Sequence, residues 1–79
     1  PLRDQFERCA LSVVLNIAEG SGKQGEKDRK RFFIIAFGSL RELQACLNII
    51  NNQDLIKEAD EVAANLYRLI KNPGKGLFG

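Results

Sequence analysis

Between Glu26 and Asn51 the apolar residues Phe33, Ala36, Leu40, Leu43, Leu47 and Ile50 recur at intervals of three, four, three, four and three. Only a helix brings residues so spaced onto one face, and a seam of this length needs other helices to cover it. Phe32, Ile35, Cys46 and Ile49 add a flanking row. The chain thus presents more apolar surface than one neighbour covers.

The same periodicity appears on both sides. Leu2, Phe6, Cys9, Val13 and Ile17 define a first helix, expected over about residues 2–19. Ala10, Val14 and Ala18 widen its stripe, and Leu11 and Leu15 carry it further round. Pro1 suits a helix start, where its missing N–H is not needed. Gly20, Gly22 and Gly25 are expected to end this helix and form the connection. The second helix then covers about 26–51. Asn51-Asn52-Gln53 reads as a tight polar turn. Asp54 reads as the N-cap of a third helix over about 55–71, with Leu55, Ala59, Val62, Leu66 and Leu69 as its seam. Asn72-Pro73-Gly74 stops it, and 73–79 reads as a loose tail in which Leu77 and Phe78 are free to dock elsewhere. No alternation of strand type is sustained. The class is all-α, with short loops making successive helices antiparallel neighbours in one domain over residues 1–72.

Seventy-nine residues bury a small core, so association with further copies is the expected aid to stability. Cys9 and Cys46 lie inside apolar runs and read as buried, reduced thiols. The chain has no histidine and no C-x-x-C, which excludes the usual zinc patterns. No cofactor is expected. No apolar run approaches the roughly 20 residues of a membrane span. The chain opens on Pro1 with no signal peptide in view, and reads as a fragment, a processed product or the ordered part of something longer.

Gly20-Ser21-Gly22-Lys23 invites a phosphate-loop reading and fails it. Gly25 follows Gly20 at the right distance, but Glu26 stands where lysine belongs, and the preceding segment is helical. Asn16, Glu19 and Glu42 are polar groups on apolar helices, for which Arg8 or Arg41 are the expected partners. Two carboxylates raise the possibility of acid/base chemistry, but no cleft or auxiliary group accompanies them, so no catalytic residue is assigned. Gly38, beside Ser39, is costly in mid-helix by about 1 kcal/mol. Close approach of another helix backbone is the expected compensation. Lys23, Lys27, Arg29, Lys30 and Arg31 place five cations within nine residues, partly offset by Glu26 and Asp28. Such a cluster is either a solvated helix start or a contact for nucleic-acid phosphates, with Arg3 and Arg41 as outlying contributors. The net charge of +2 does not by itself announce a nucleic-acid binder.

Two blocks carry a resemblance. Gln5, Arg8, Ser12, Asn16, Ile17, Ala18, Glu19 and Gly20 fit a pattern Q-x-x-R-A-x-x-S-I-x-x-N-I-A-E-G. Phe32, Ala36, Gly38, Ser39, Leu40, Glu42 and Leu43 fit F-L-x-x-A-x-G-S-L-x-E-L. Cys9, Val13 and Phe33 depart mildly from those patterns. The chain resembles the 23S ribosomal RNA intervening-sequence proteins, often called four helix bundle proteins. The resemblance implies a small cytoplasmic bacterial protein that assembles as a ring, commonly a pentamer, but does not by itself establish a molecular activity; that the chain is not an enzyme is the expectation from its residues. It also implies a fourth helix ahead of the glutamine block, so that the three helices here correspond to the second, third and fourth. A similar accessory protein of diversity-generating retroelements forms a basic barrel that binds nucleic acid and a reverse transcriptase. Together these set two expectations: a nucleic-acid-binding oligomer, or a protein-interaction scaffold with no nucleic-acid role.

Overall fold

The computed structural model describes residues 1–74. Three helices, α1 (Leu2–Gly22), α2 (Glu26–Ile50) and α3 (Gln53–Lys71), follow one another with no strand among the described residues. At about 1.5 Å per residue, the 25 residues of α2 span most of the longest dimension of the molecule, 38 Å. α2 is the central rod, and α1 and α3 pack against it. No Cα of α1 lies within 8 Å of one in α3.

Side-chain pairs along both seams fix the antiparallel registers. Between α1 and α2, Cys9 meets Glu42, the Oγ atoms of Ser12 and Ser39 share a hydrogen bond of 2.6 Å, and Gly20 abuts Phe32 and Phe33. Between α2 and α3, Gln44 donates to Asp60 at 2.9 Å, Phe37 faces Tyr67 with ring centroids 6.4 Å apart, and Arg29 reaches Gly74. The core is Val13, Phe33, Ala36, Leu40, Leu47, Ala59 and Leu66. Phe33, Leu40 and Leu47 are buried by α1 and α3 themselves, without help from another copy. The flanking rows are not: Val14 is 64% exposed and Ile49 72% exposed. Cys9 and Cys46 are buried free thiols, as expected.

The helix ends depart from the sequence reading in ways that packing explains. α1 continues three residues beyond the expected end, because Gly20 is a contact point and not a terminator. A Cβ there would lie 2.8 Å from the buried Phe33 ring, so the missing side chain is what lets the last turn of α1 close onto α2. α2 ends at Asn51, whose left-handed φ of 60° lets its N–H donate to Leu47 O at 2.7 Å. Asn52, and not Asp54, caps α3: its Oδ1 accepts from the Leu55 N–H at 3.1 Å. At the far end Pro73 is buried and the Gly74 carbonyl is engaged, so these two residues belong to the packed end of the domain. The tail with Leu77 and Phe78 lies outside the described residues.

Averaged over 18 residues, α2 reaches a mean hydropathy of 1.4, long and apolar enough by length and composition to cross a membrane. The expectation that no segment reaches this length is corrected: Arg41 and Glu42 divide the run at mid-helix but leave its average apolar. Its inward residues are spent on α1 and α3, which is the construction of a bundle's central helix.

Candidate nucleic-acid interface

The five clustered cations start in the turn after α1 and run along the first turns of α2. Acids three or four positions away lie on the same helix face as two of these cations, which brings the opposite charges within reach. Lys23 Nζ lies 3.8 Å from Glu19 Oε2, and Arg31 Nε lies 4.0 Å from Asp28 Oδ1. Both pairs are exposed, long and weak, of the kind worth under about 1 kcal/mol. Lys23 Nζ and Arg31 Cζ also flank the Phe32 ring, at 5.4 and 4.7 Å from its centroid. This steadies two long cationic side chains at the surface by cation–π attraction. Lys27 and Lys30 are exposed, with no ion-pair partner among the described residues.

Arg29 does not belong with them. It is 4% exposed, and its guanidinium points inward. Nη1 donates to the Lys23 carbonyl at 3.2 Å and to the Gln24 carbonyl, and Nη2 donates to the Gly74 carbonyl. The buried Nε has no acceptor. The expectation that Arg29 touches phosphate is therefore corrected: its position in α2 turns it under the α1–α2 connection, where carbonyls and not solvent surround it.

The fold brings in two cations that the sequence reading left out. Because α3 runs antiparallel to α2, its last turn, with Arg68 and Lys71, arrives at the N-terminal end of α2. Lys71 Nζ sits 5.4 Å from the Tyr67 ring centroid and Arg68 donates to Asn65. The recurrence of basic residues in the last turn of α3 was the available signal, but it acquires meaning only once the direction of α3 is known. Arg3 and Arg41 lie elsewhere: Arg3 pairs with Glu7 near the start of α1, and Arg41 donates to Gln44 midway along α2.

Asn16, Ser39 and Glu42 lie with Ser12 and Cys9 along the α1–α2 seam, while Glu19 is exposed at the end of α1. Asn16 donates to Ser12 O at 2.8 Å and to Ser12 Oγ at 3.2 Å, while Ser12 bonds Ser39 across the seam. Glu42 accepts from the Cys9 thiol at 3.7 Å, and Glu19 pairs with Lys23. Arg8 and Arg41 are not the partners expected for these groups. Burial pushes the Cys9 thiol above its ordinary value, and the nearby Glu42 carboxylate adds to the effect. Such a thiol is held protonated and is a poor nucleophile. A recess of about 320 Å³ over this cluster is lined by Gln5, Arg8, Cys9, Ser12, Ser39 and Glu42. Gly38 is exposed, and nothing lies within 4 Å of the position its Cβ would take. Of the pair Gly38-Ser39, Ser39 meets α1 through Ser12, while Gly38 itself faces open space, so the glycine is not what admits the neighbouring helix there; at Gly20 it is. No group of three or more His, Cys, Asp or Glu side chains among the described residues is placed to hold a metal ion.

The model of the family described as 23S rRNA-intervening sequence protein matches residues 1–79. The chain belongs to this family. The two motif blocks that carry the resemblance are the two faces of the α1–α2 seam, where Gly20, Ser12 and Ser39 make the contacts just described. No curated protein and no solved structure matches the chain.

Proposed function

We propose that this small helical protein binds the phosphate backbone of RNA or DNA through one basic end, without catalysing a reaction, and that several copies present their basic ends together. The supporting observation is the gathering of Lys23, Lys27, Lys30 and Arg31 with Arg68 and Lys71 where the α1–α2 turn meets the last turn of α3. Cations on different elements, held at one end of a rod, act as a patch whose contributions sum. A ring of copies, pentameric as the family resemblance implies, would multiply the patch. The exposed apolar rows on α1 and α2 supply surface for such packing. A groove of about 310 Å³ between α1 and α3, floored by Leu40, Leu43 and Leu47, is where the fourth helix of the family's bundle would lie. The reading places the protein in the bacterial cytoplasm, where its free thiols stay reduced.

The deciding experiment is a titration against an RNA duplex over a salt series. Release of counterions by six cations corresponds to a slope of log K against log salt of about −5 for each copy fully engaged. A flat response, or no binding at low salt, refutes the reading. The exposure of Leu11, Val14, Leu15, Ile34, Ile35 and Ile49 favours a second reading, a scaffold that binds protein alone. Recovery of a protein partner after nuclease treatment, with no RNA retained, supports that reading.

A further inference from the structure

We propose that Arg29 is the positioning residue of the basic end: it touches no nucleic acid, but joins the cations of α3 to those of α2 so that they act as one surface. The inference rests on the nucleic-acid reading above and assigns a role to the one cation of the cluster that cannot reach a phosphate.

Three features carry it. First, Arg29 is buried, and its acceptors belong to two separate segments: the Lys23 and Gln24 carbonyls after α1, and the Gly74 carbonyl after α3. The helices that these segments end, α1 and α3, have no close backbone contact with each other. The guanidinium on α2 is thus the tie between the α1–α2 turn and the end of α3. Second, the acceptors are carbonyls next to helix C-termini, where the aligned peptide dipoles leave partial negative charge. This offsets the burial of a cation that has no carboxylate beside it. Third, a planar fork with five N–H groups suits several carbonyls converging from different directions, and an ammonium does not reproduce it. Without the tie, Ile70 and Pro73 are left to hold the end of α3 by apolar contact alone, and its last turn opens more readily. Arg68 and Lys71 then separate from Lys27 and Lys30.

The test uses Arg29→Met and Arg29→Lys, read by amide hydrogen exchange and by RNA-duplex titration over a salt series. Arg29→Lys keeps the charge and loses the fork, and it stands in if Arg29→Met does not fold. The amides of Lys71 and Asn72 are expected to exchange about tenfold or more faster in either variant, with Leu40 unchanged. The salt slope is expected to fall by about two, the share of Arg68 and Lys71. In the parent, Arg68→Gln with Lys71→Gln lowers the slope by that amount. In the Arg29→Lys background the same pair adds little, and this non-additivity is the signature of positioning. Lys27→Gln with Lys30→Gln lowers the slope by about two in both backgrounds. Unchanged exchange at Lys71 and Asn72 overturns the proposal. So does faster exchange with an unaltered slope, or a full slope in Arg29→Lys, which assigns the effect to charge alone. Failure of the parent to bind RNA refutes the nucleic-acid reading itself, a result distinct from each of these.

Discussion

Two glycines inside helices do opposite things. Gly20 lies against the buried Phe33 ring, and even a methyl group there must displace atoms that have nowhere to go. Gly20→Ala is therefore expected to destabilise the domain by about 1–3 kcal/mol through overpacking, despite the better helix propensity of alanine. Gly38 has open space where its Cβ would be. Gly38→Ala is expected to stabilise the protomer by about 0.5–1 kcal/mol, since only the backbone term remains. Urea unfolding of both variants checks the pair, and a reversal of the two signs contradicts the packing described. The Cys9 thiol gives a second residue-scale expectation. Burial and then Glu42 raise it above its ordinary value of 9.0, so the unfolded chain releases this proton first as pH rises. Its contribution to stability is complete below about pH 9 and is lost progressively above it. The urea midpoint should fall between about pH 8 and about pH 10.5 by more in the parent than in Cys9→Ala.

At the scale of the element, capping separates residues that look alike in sequence. Asn52 and Asp54 are both good N-cap types, but only Asn52 places an oxygen on an early amide of α3. Asn52→Ala is expected to cost about 1 kcal/mol, and Asp54→Ala less, as measured by thermal unfolding. Equal losses refute the assignment. The three helices were legible because period and length are properties of the sequence itself, and the seams in part: Phe33, Ala36, Leu40, Leu47, Ala59 and Leu66 are buried as their spacing implies, whereas Leu55, Val62 and Leu69 of the α3 seam, and Ile50 of the α2 seam, remain exposed. The end of α1 was not legible, since glycine terminates a helix unless a neighbour's ring fills the space its side chain would take, and Phe33 is distant in sequence. Arg29 was misread for the same reason. Its neighbours in sequence are solvated cations, and nothing local reveals that the turns after α1 and α3 close over it. Ser12 and Ser39 became partners only once the register of α1 on α2 was set.

At the scale of the whole molecule, the net charge of +2 hides a strong asymmetry. The end containing the α1–α2 turn and the last turn of α3 carries Lys23, Lys27, Arg29, Lys30, Arg31, Arg68 and Lys71 against Glu19, Glu26 and Asp28. The remaining described length carries Arg3, Arg8, Arg41 and Lys57 against seven acids, with Asp54, Glu58, Asp60 and Glu61 crowded near the start of α3. A polyanion approaching this rod is attracted at one end and repelled at the other, a sorting effect that a near-neutral average conceals. Charge reversal at the two ends should therefore act unequally. Lys27→Glu with Lys30→Glu removes two attractive contacts and adds two repulsive charges, and is expected to lower affinity for an RNA duplex by about 100-fold or more at about 0.1 M salt, where the Debye length is about 10 Å. Arg3→Glu with Arg41→Glu changes net charge by the same amount at positions away from the patch, and is expected to cost less than about fivefold, because exposed charges beyond a Debye length are screened. Equal losses from the two double variants would mean that only net charge matters, and that the basic end is not the site.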